Sequence, residues 1–279
     1  MRVYISVDME GIGGISHPHP TDAKDTRYAA SVALMVGETN AAIDGALAAG
    51  ATDILVNDSH SSMYNLLPED VHQAARVLQG EKAWSMVAGA LPGADGTPTF
   101  DVALFVGYHA GAGDATGVIA HTYSSATIMA VRVNGEPHNE AALNAIRLGH
   151  HGIPVALVAG DDALAREVGR ALPWAERVVV KRGLGYATAD SLRPEAARTA
   201  IREGVARALG RLDSMRPYAP EPPIRGEVDF RFSTHAAYAA VLPEVERSGP
   251  RTVTFAVDDG ETFYRRFLAV QRLAAAPGL

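Results

Sequence analysis

Acidic and histidine side chains recur in this sequence at the ends of short apolar runs. Asp8 and Glu10 follow the run Arg2–Val7 in Asp8-Met9-Glu10-Gly11. If the backbone stays extended there, residues two apart point the same way and both carboxylates can face one metal cluster. Two like charges so close repel unless a cation neutralises them. Asn57-Asp58-Ser59-His60 follows a second run, and Gly107-Tyr108-His109 closes a third. His60 reads as a neutral imidazole ligand, with Asp58 or Ser59 orienting its ring. His109 reads as a ligand or catalytic group, and His121, in Val118-Ile-Ala-His-Thr-Tyr123, as a proton carrier or oxyanion donor.

Each of these residues also has an ordinary reading. Asp8 and Glu10 could be solvated loop acids, Asp58 a cap, His60 a surface residue and His121 a satisfied core histidine. Glu140 opens an amphipathic segment, where a carboxylate suits the positive end of a helix. His17 and His19 read as surface residues, and His150 and His151 as cations at a helix end. Gly11, Gly13 and Gly14 let the backbone approach a ligand closely, but their spacing is not that of a dinucleotide-binding loop.

The elements that would position these groups alternate. Apolar, β-branched runs at Arg2–Val7, Asp53–Asn57, Val102–Gly107, Thr127–Val133, Pro154–Ala159 and Arg177–Lys181 are separated by amphipathic segments at Tyr28–Ala49, Glu140–His150 and Asp162–Leu172. That order predicts an α/β fold, a mostly parallel sheet with helices on both faces. In such sheets ligands bind beyond the carboxyl ends of the strands, so the turns bearing Asp8 and Glu10, Asp58 and His60, His109, and Asp161 and Asp162 would converge on one crevice. Asn134-Gly135 carries the chemistry of a tight turn. After a helix over about Pro194–Leu212, the proline-rich stretch Arg216–Pro223 reads as a stiff linker. Strands at Gly226–Phe232 and Arg251–Val257 and a helix at Thr262–Ala275 then make a small α+β appendage. The expected division is a catalytic domain over 1–215 and a subdomain over 224–279.

Composition narrows the chemistry. The 279 residues are 47% apolar and 20% charged, with a net charge of −7 and no cysteine. The acidic balance, without a basic stripe, argues against a nucleic-acid partner. No 18-residue apolar run predicts a membrane span. The first residues lack the apolar core of a signal peptide, so a cytoplasmic location is expected. Without cysteine there is no disulfide, thiolate ligand or thiol nucleophile, and any metal must sit on His, Asp and Glu.

With these residues in view, Ser6-Val-Asp8-Met-Glu10-Gly11 resembles the SxDxEG motif of the DppA-type D-aminopeptidases. The likeness continues in order through Leu55–Ser61, Gly107–Ala110, His121, Asn139-Glu140 with Leu143-Asn144, and Val158–Asp162. It covers roughly residues 1–165, and looser similarity extends to the strand and helix near Thr252–Ala275. The resemblance implies two zinc ions per subunit, with Asp8 bridging both and Glu10, His60, His109 and Glu140 as the other ligands. His121 takes the place of the family's catalytic histidine. It also implies removal of N-terminal D-amino acids from short peptides and amides, and a homodecamer of two stacked five-membered rings. The His17-Pro-His-Pro loop departs from the motif.

A bridging carboxylate and four single ligands leave open positions for water and substrate, as catalytic zinc requires. Two metals about 3.5–4 Å apart would activate a shared water and polarise the scissile carbonyl. A different two-metal hydrolase, a phosphatase or phosphodiesterase, would use a similar cluster but add a basic clamp, and no Lys or Arg lies within the motifs. A third reading, a noncatalytic small-molecule binder, would not need two metals.

Overall fold

The computed structural model describes residues 1–90, 92 and 96–278. Among the described residues the strands are β1 (Arg2–Val7), β2 (Asp53–Asp58), β3 (Ala75–Leu78), β4 (Val102–Tyr108), β5 (Ile128–Val133), β6 (Glu136–Pro137), β7 (Val155–Asp161), β8 (Glu176–Gly185), β9 (Thr188–Ser191), β10 (Ile224–Phe230), β11 (Glu246–Arg247) and β12 (Thr252–Val257). The α-helices are α1 (Tyr28–Ala48), α2 (Glu140–His150), α3 (Asp162–Ala171), α4 (Pro194–Leu209), α5 (Ser233–Ala239) and α6 (Gly260–Ala275). Two sheets result. The larger runs β3-β2-β1-β4-β7-β8-β9 and is parallel except for the edge strand β9. This is the α/β architecture expected.

Strands covered on both faces need apolar side chains on both, and β1, β4 and β7 are buried almost throughout. In β1, Val3, Ile5 and Val7 pack toward one core with α1 and α4, whereas Tyr4 packs into the other. That second core also takes residues of α2, α3 and α6. Caps set the helix starts: Asn139 accepts a hydrogen bond from Ala142 N at α2, and Asp161 from Leu164 N at α3.

The smaller sheet runs β11-β12-β10-β5-β6 and is antiparallel. Here the strand expected at Thr127–Val133 departs from the parallel set. As β5 it pairs with β10, not with any strand of the large sheet. Its burial explains this, because Met129 is exposed and Arg132 half-buried, so one face meets solvent. The 224–279 segment therefore shares its sheet with a hairpin from the middle of the chain. That hairpin turns at Asn134-Gly135, where both residues have positive φ (51° and 86°). The helix α5 and the short strands β3, β6, β9 and β11 were not anticipated from the sequence.

Candidate metal centre

In the large sheet the chain lays β2 and β3 on one side of β1 and then places β4 on the other, so the strand order reverses between β1 and β4. A crevice at such a reversal is where this architecture binds ligands. The turns leaving β1 and β4 cross there at backbone contact. Gly11 N donates to Gly107 O at 2.7 Å, and Asp8 N to Val106 O at 2.9 Å. Gly107 has φ +71°, and a Cβ on it would lie 2.1 Å from the Asp8 carbonyl oxygen, so only glycine fits.

This crossing brings the expected side chains together. Asp8, Glu10, His60, His109 and Glu140 are all buried. Asp8 turns its two oxygens toward different histidines. Oδ1 lies 3.3 Å from His60 Nδ1, which is also 2.9 Å from Glu10 Oε2. Oδ2 lies 3.4 Å from His109 Nε2, which is 3.6 Å from Glu140 Oε1. Two donor sets thus meet at one carboxylate. His121 joins the second from the solvent side: its Nε2 is 3.9 Å from Glu140 Oε1 and its ring stacks on that of His109.

Backbone carbonyls orient each imidazole. His60 Nε2 donates to Thr21 O (2.9 Å), His109 Nδ1 to Ala110 O (3.0 Å) and His121 Nδ1 to Ile119 O (2.8 Å). Each ring therefore presents its other nitrogen to the acids. His60 is held by Thr21, not by Asp58 or Ser59 as expected. Asp58 instead accepts from Asn65 N, Asn65 Nδ2 and Leu66 N, closing the loop that follows β2, and Ser59 bonds Ser6.

The electrostatics call for positive charge. Burial opposes charge on His60, yet Glu10 and Asp8 hold its pKa well above the usual imidazole value. Burial likewise opposes charge on His109, but Glu140, Asp8 and Glu10 push it up to about 10. Glu10, despite its burial, is held well below the usual carboxylate range chiefly by His60. Burial raises Glu140, and His109 and His121 offset this only in part. His109 Nε2 is buried and, among the described residues, has no hydrogen-bond partner. An orphaned imidazole nitrogen among three buried carboxylates suits a divalent cation that takes N and O ligands. Two groups have ligand atoms all within 4.8 Å of one another: Asp8, Glu10 and His109, and His109, His121 and Glu140.

A cavity of about 530 Å³ opens onto the acids, walled by Thr21–Ala23, Ser59–Met63, Tyr123–Ala126 and His121. Thr21, Asp22 and Ala23 follow the His17-Pro-His-Pro stretch, whose own four residues do not line the cavity. His150 and His151 sit apart from the centre, facing Asp259 and Glu261. Several supports escaped the sequence reading. Tyr123 N donates to Glu140 Oε1 at 2.6 Å. The buried Lys181 reaches from β8 to the carbonyls of Glu10, Ile12 and Ile15, while Glu38 accepts from Gly13 N. For the lysine contacts the one signal in the sequence was a lysine closing the apolar run Arg177–Lys181.

Known proteins share this arrangement of chain. A family model described as D-aminopeptidase matches residues 1–269. A D-aminopeptidase of Bacillus subtilis (strain 168) is 35% identical over 281 aligned positions, covering 98% of both chains. A solved structure, a Zn-dependent D-aminopeptidase DppA from Bacillus subtilis described as a self-compartmentalizing protease, superposes with a TM-score of 0.91 at 34% identity, again over 98% of each chain.

Proposed function

The chain belongs to the D-aminopeptidase family, and from that premise we propose that Asp8, Glu10, His60, His109 and Glu140 hold two zinc ions in each subunit for the removal of N-terminal D-amino acids from short peptides and amides. It is a metal-dependent aminopeptidase. The observation that carries the dinuclear reading is the division of Asp8 between His60 and His109, which is what a bridging carboxylate requires. Glu10 and His60 complete one position, and His109 and Glu140 the other. When bound, the metals supply an acidified water and polarise the scissile carbonyl.

The protein's own groups do the rest. The cavity is of a size for a di- or tripeptide. His121 lines it and has its Nδ1–H fixed on Ile119 O, leaving Nε2 to take up a proton and pass it to the leaving amine. Tyr123 N–H holds Glu140 from behind. Among the described residues lining the cavity there is no Lys or Arg to clamp a phosphate, which disfavours a phosphodiesterase.

A relative described as self-compartmentalizing supports homo-oligomerisation, and the assembly we propose is a decamer of two stacked pentameric rings whose centres face an internal chamber. One set of measurements tests the reading: metal content after dialysis, mass in solution, and kcat/KM on paired D- and L-aminoacyl peptides, amides and a generic phosphodiester. About two zinc ions per chain, a ten-chain mass and preference for D-aminoacyl substrates are expected. A metal-free monomer, or faster cleavage of L-peptides or the phosphodiester, would overturn it.

A further inference from the structure

Glu167 lies on α3, outside every motif singled out in the sequence, and touches no candidate ligand. Its Oε2 accepts two hydrogen bonds, from Gly111 N at 2.9 Å and from Asn139 Nδ2 at 2.8 Å. Gly111 is two residues beyond His109, and Asn139 immediately precedes Glu140. Asn139 cannot turn away, because its Oδ1 caps α2 through Ala142 N at 2.9 Å. The two segments approach so closely that a Cβ on Gly111 would lie 3.2 Å from that of Asn139. One oxygen therefore clamps the loop that carries His109 to the helix that carries Glu140.

We infer that Glu167 is a positioning residue for one half of the metal centre, setting the separation of His109 from Glu140 while leaving the Glu10–His60 half untouched. The asymmetry follows from the fold: Glu10 and His60 hang on the ends of β1 and β2, held by Lys181 and Thr21, and among the described residues neither shares a hydrogen bond with α3. Glu167 also borders a cavity of about 360 Å³ lined by Gly111–Asp114, Met129–Arg132 and Arg170. A changed side chain there has room, so the variants need not repack a core.

This inference rests on the dinuclear reading, and the experiment separates the two. Zn²⁺ is titrated against a chromophoric chelator in the wild type, Glu167→Ala and Glu167→Gln, with thermal melts alongside. The wild type should take up two ions. In E167A one position should keep its affinity and the other weaken about 10–100-fold, the scale for losing a group that orients a metal ligand. E167Q should restore it to within about threefold, because one amide oxygen can accept both N–H groups and the NH₂ can face the cavity. If E167A is not recovered folded, Glu167→Asp, one methylene too short to reach both donors, must show the same selective loss. Two positions unchanged in E167A, or both weakened alike with the melting temperature, would overturn the inference alone. A wild type that binds no zinc would overturn the metal reading and this inference with it.

Discussion

The imidazole of His121 lies flat against that of His109, with ring centroids 4.2 Å apart and planes 10° from parallel. His109 is 1% exposed and His121 16%, so His121 separates His109 from the substrate cavity. His121→Ala should leave metal content intact and lower kcat by about two to four orders of magnitude, the scale of a lost acid–base group. Loss of one metal would make His121 a ligand, as its spacing to His109 and Glu140 would permit. A wild-type rate would make it a packing residue.

Asp8 divides its two oxygens between the two donor sets. Asp8→Ala should therefore lower the metal content at both positions, unlike changes at Glu10 or Glu140, which should each empty one more than the other. Elemental analysis after dialysis reads this directly. Retention of one tightly held ion together with activity would refute the bridging role.

Loading should release protons. His109, at about 10, and His60, well above its ordinary value, carry protons at neutral pH when only carboxylates face them. Ligation needs neutral imidazoles, so about two protons should leave as the centre fills. Apparent affinity should climb with pH until it passes the His109 value near 10. Calorimetry at pH 7.5 in buffers of different ionisation enthalpy measures the count, and zero release would contradict this account.

Gly107→Ala combines a positive φ with a Cβ 2.1 Å from the Asp8 carbonyl. The strands must separate or the turn carrying Asp8 must shift. A stability loss of about 2–4 kcal/mol is expected, with weakened metal binding in whatever remains folded. Denaturant melts near wild type would show that the crossing is looser than described.

Burial raises the Glu38 carboxyl to about 7. The unfolded chain ionises it from about 4.5 upward, the folded one only near 7, so this residue costs stability as pH rises between those values and nothing further above them. Glu38→Gln keeps an acceptor for Gly13 N and should flatten the fall in melting temperature between pH 5 and 8, recovering on the order of 1–3 kcal/mol at the upper end. An unchanged profile would rule out Glu38 as its source.

Much of the centre was legible because Asp8, His60 and His109 each follow an apolar run, and the carboxyl ends of parallel strands share one rim. Glu140 was not legible that way. An acid at a helix start explains itself, and only the resemblance pointed to it as a ligand. The Thr21 carbonyl that orients His60 left no trace in the sequence, since every residue has one. Asp58, two positions from His60, was the natural candidate for that task, but its oxygens are spent on Asn65 and Leu66. Arg132, inside a run otherwise fit for a buried strand, was the sign that β5 belongs to a half-solvated sheet. Its meaning depended on a partner, β10, about ninety residues later.

That distant pairing has a consequence for how the enzyme is made. Between His121 and Glu140 the chain leaves the crevice to form β5 and β6, and β5 gains its other neighbour only when β10 has emerged. A ribosome-bound chain that ends before Ile224 has Asp8, His60, His109 and Glu140 already synthesised, but β5, in the hairpin linking His121 to Glu140, still lacks its partner strand β10. The placing of the segment between His121 and Glu140 therefore depends on a strand, Ile224–Phe230, that lies far beyond both in the chain.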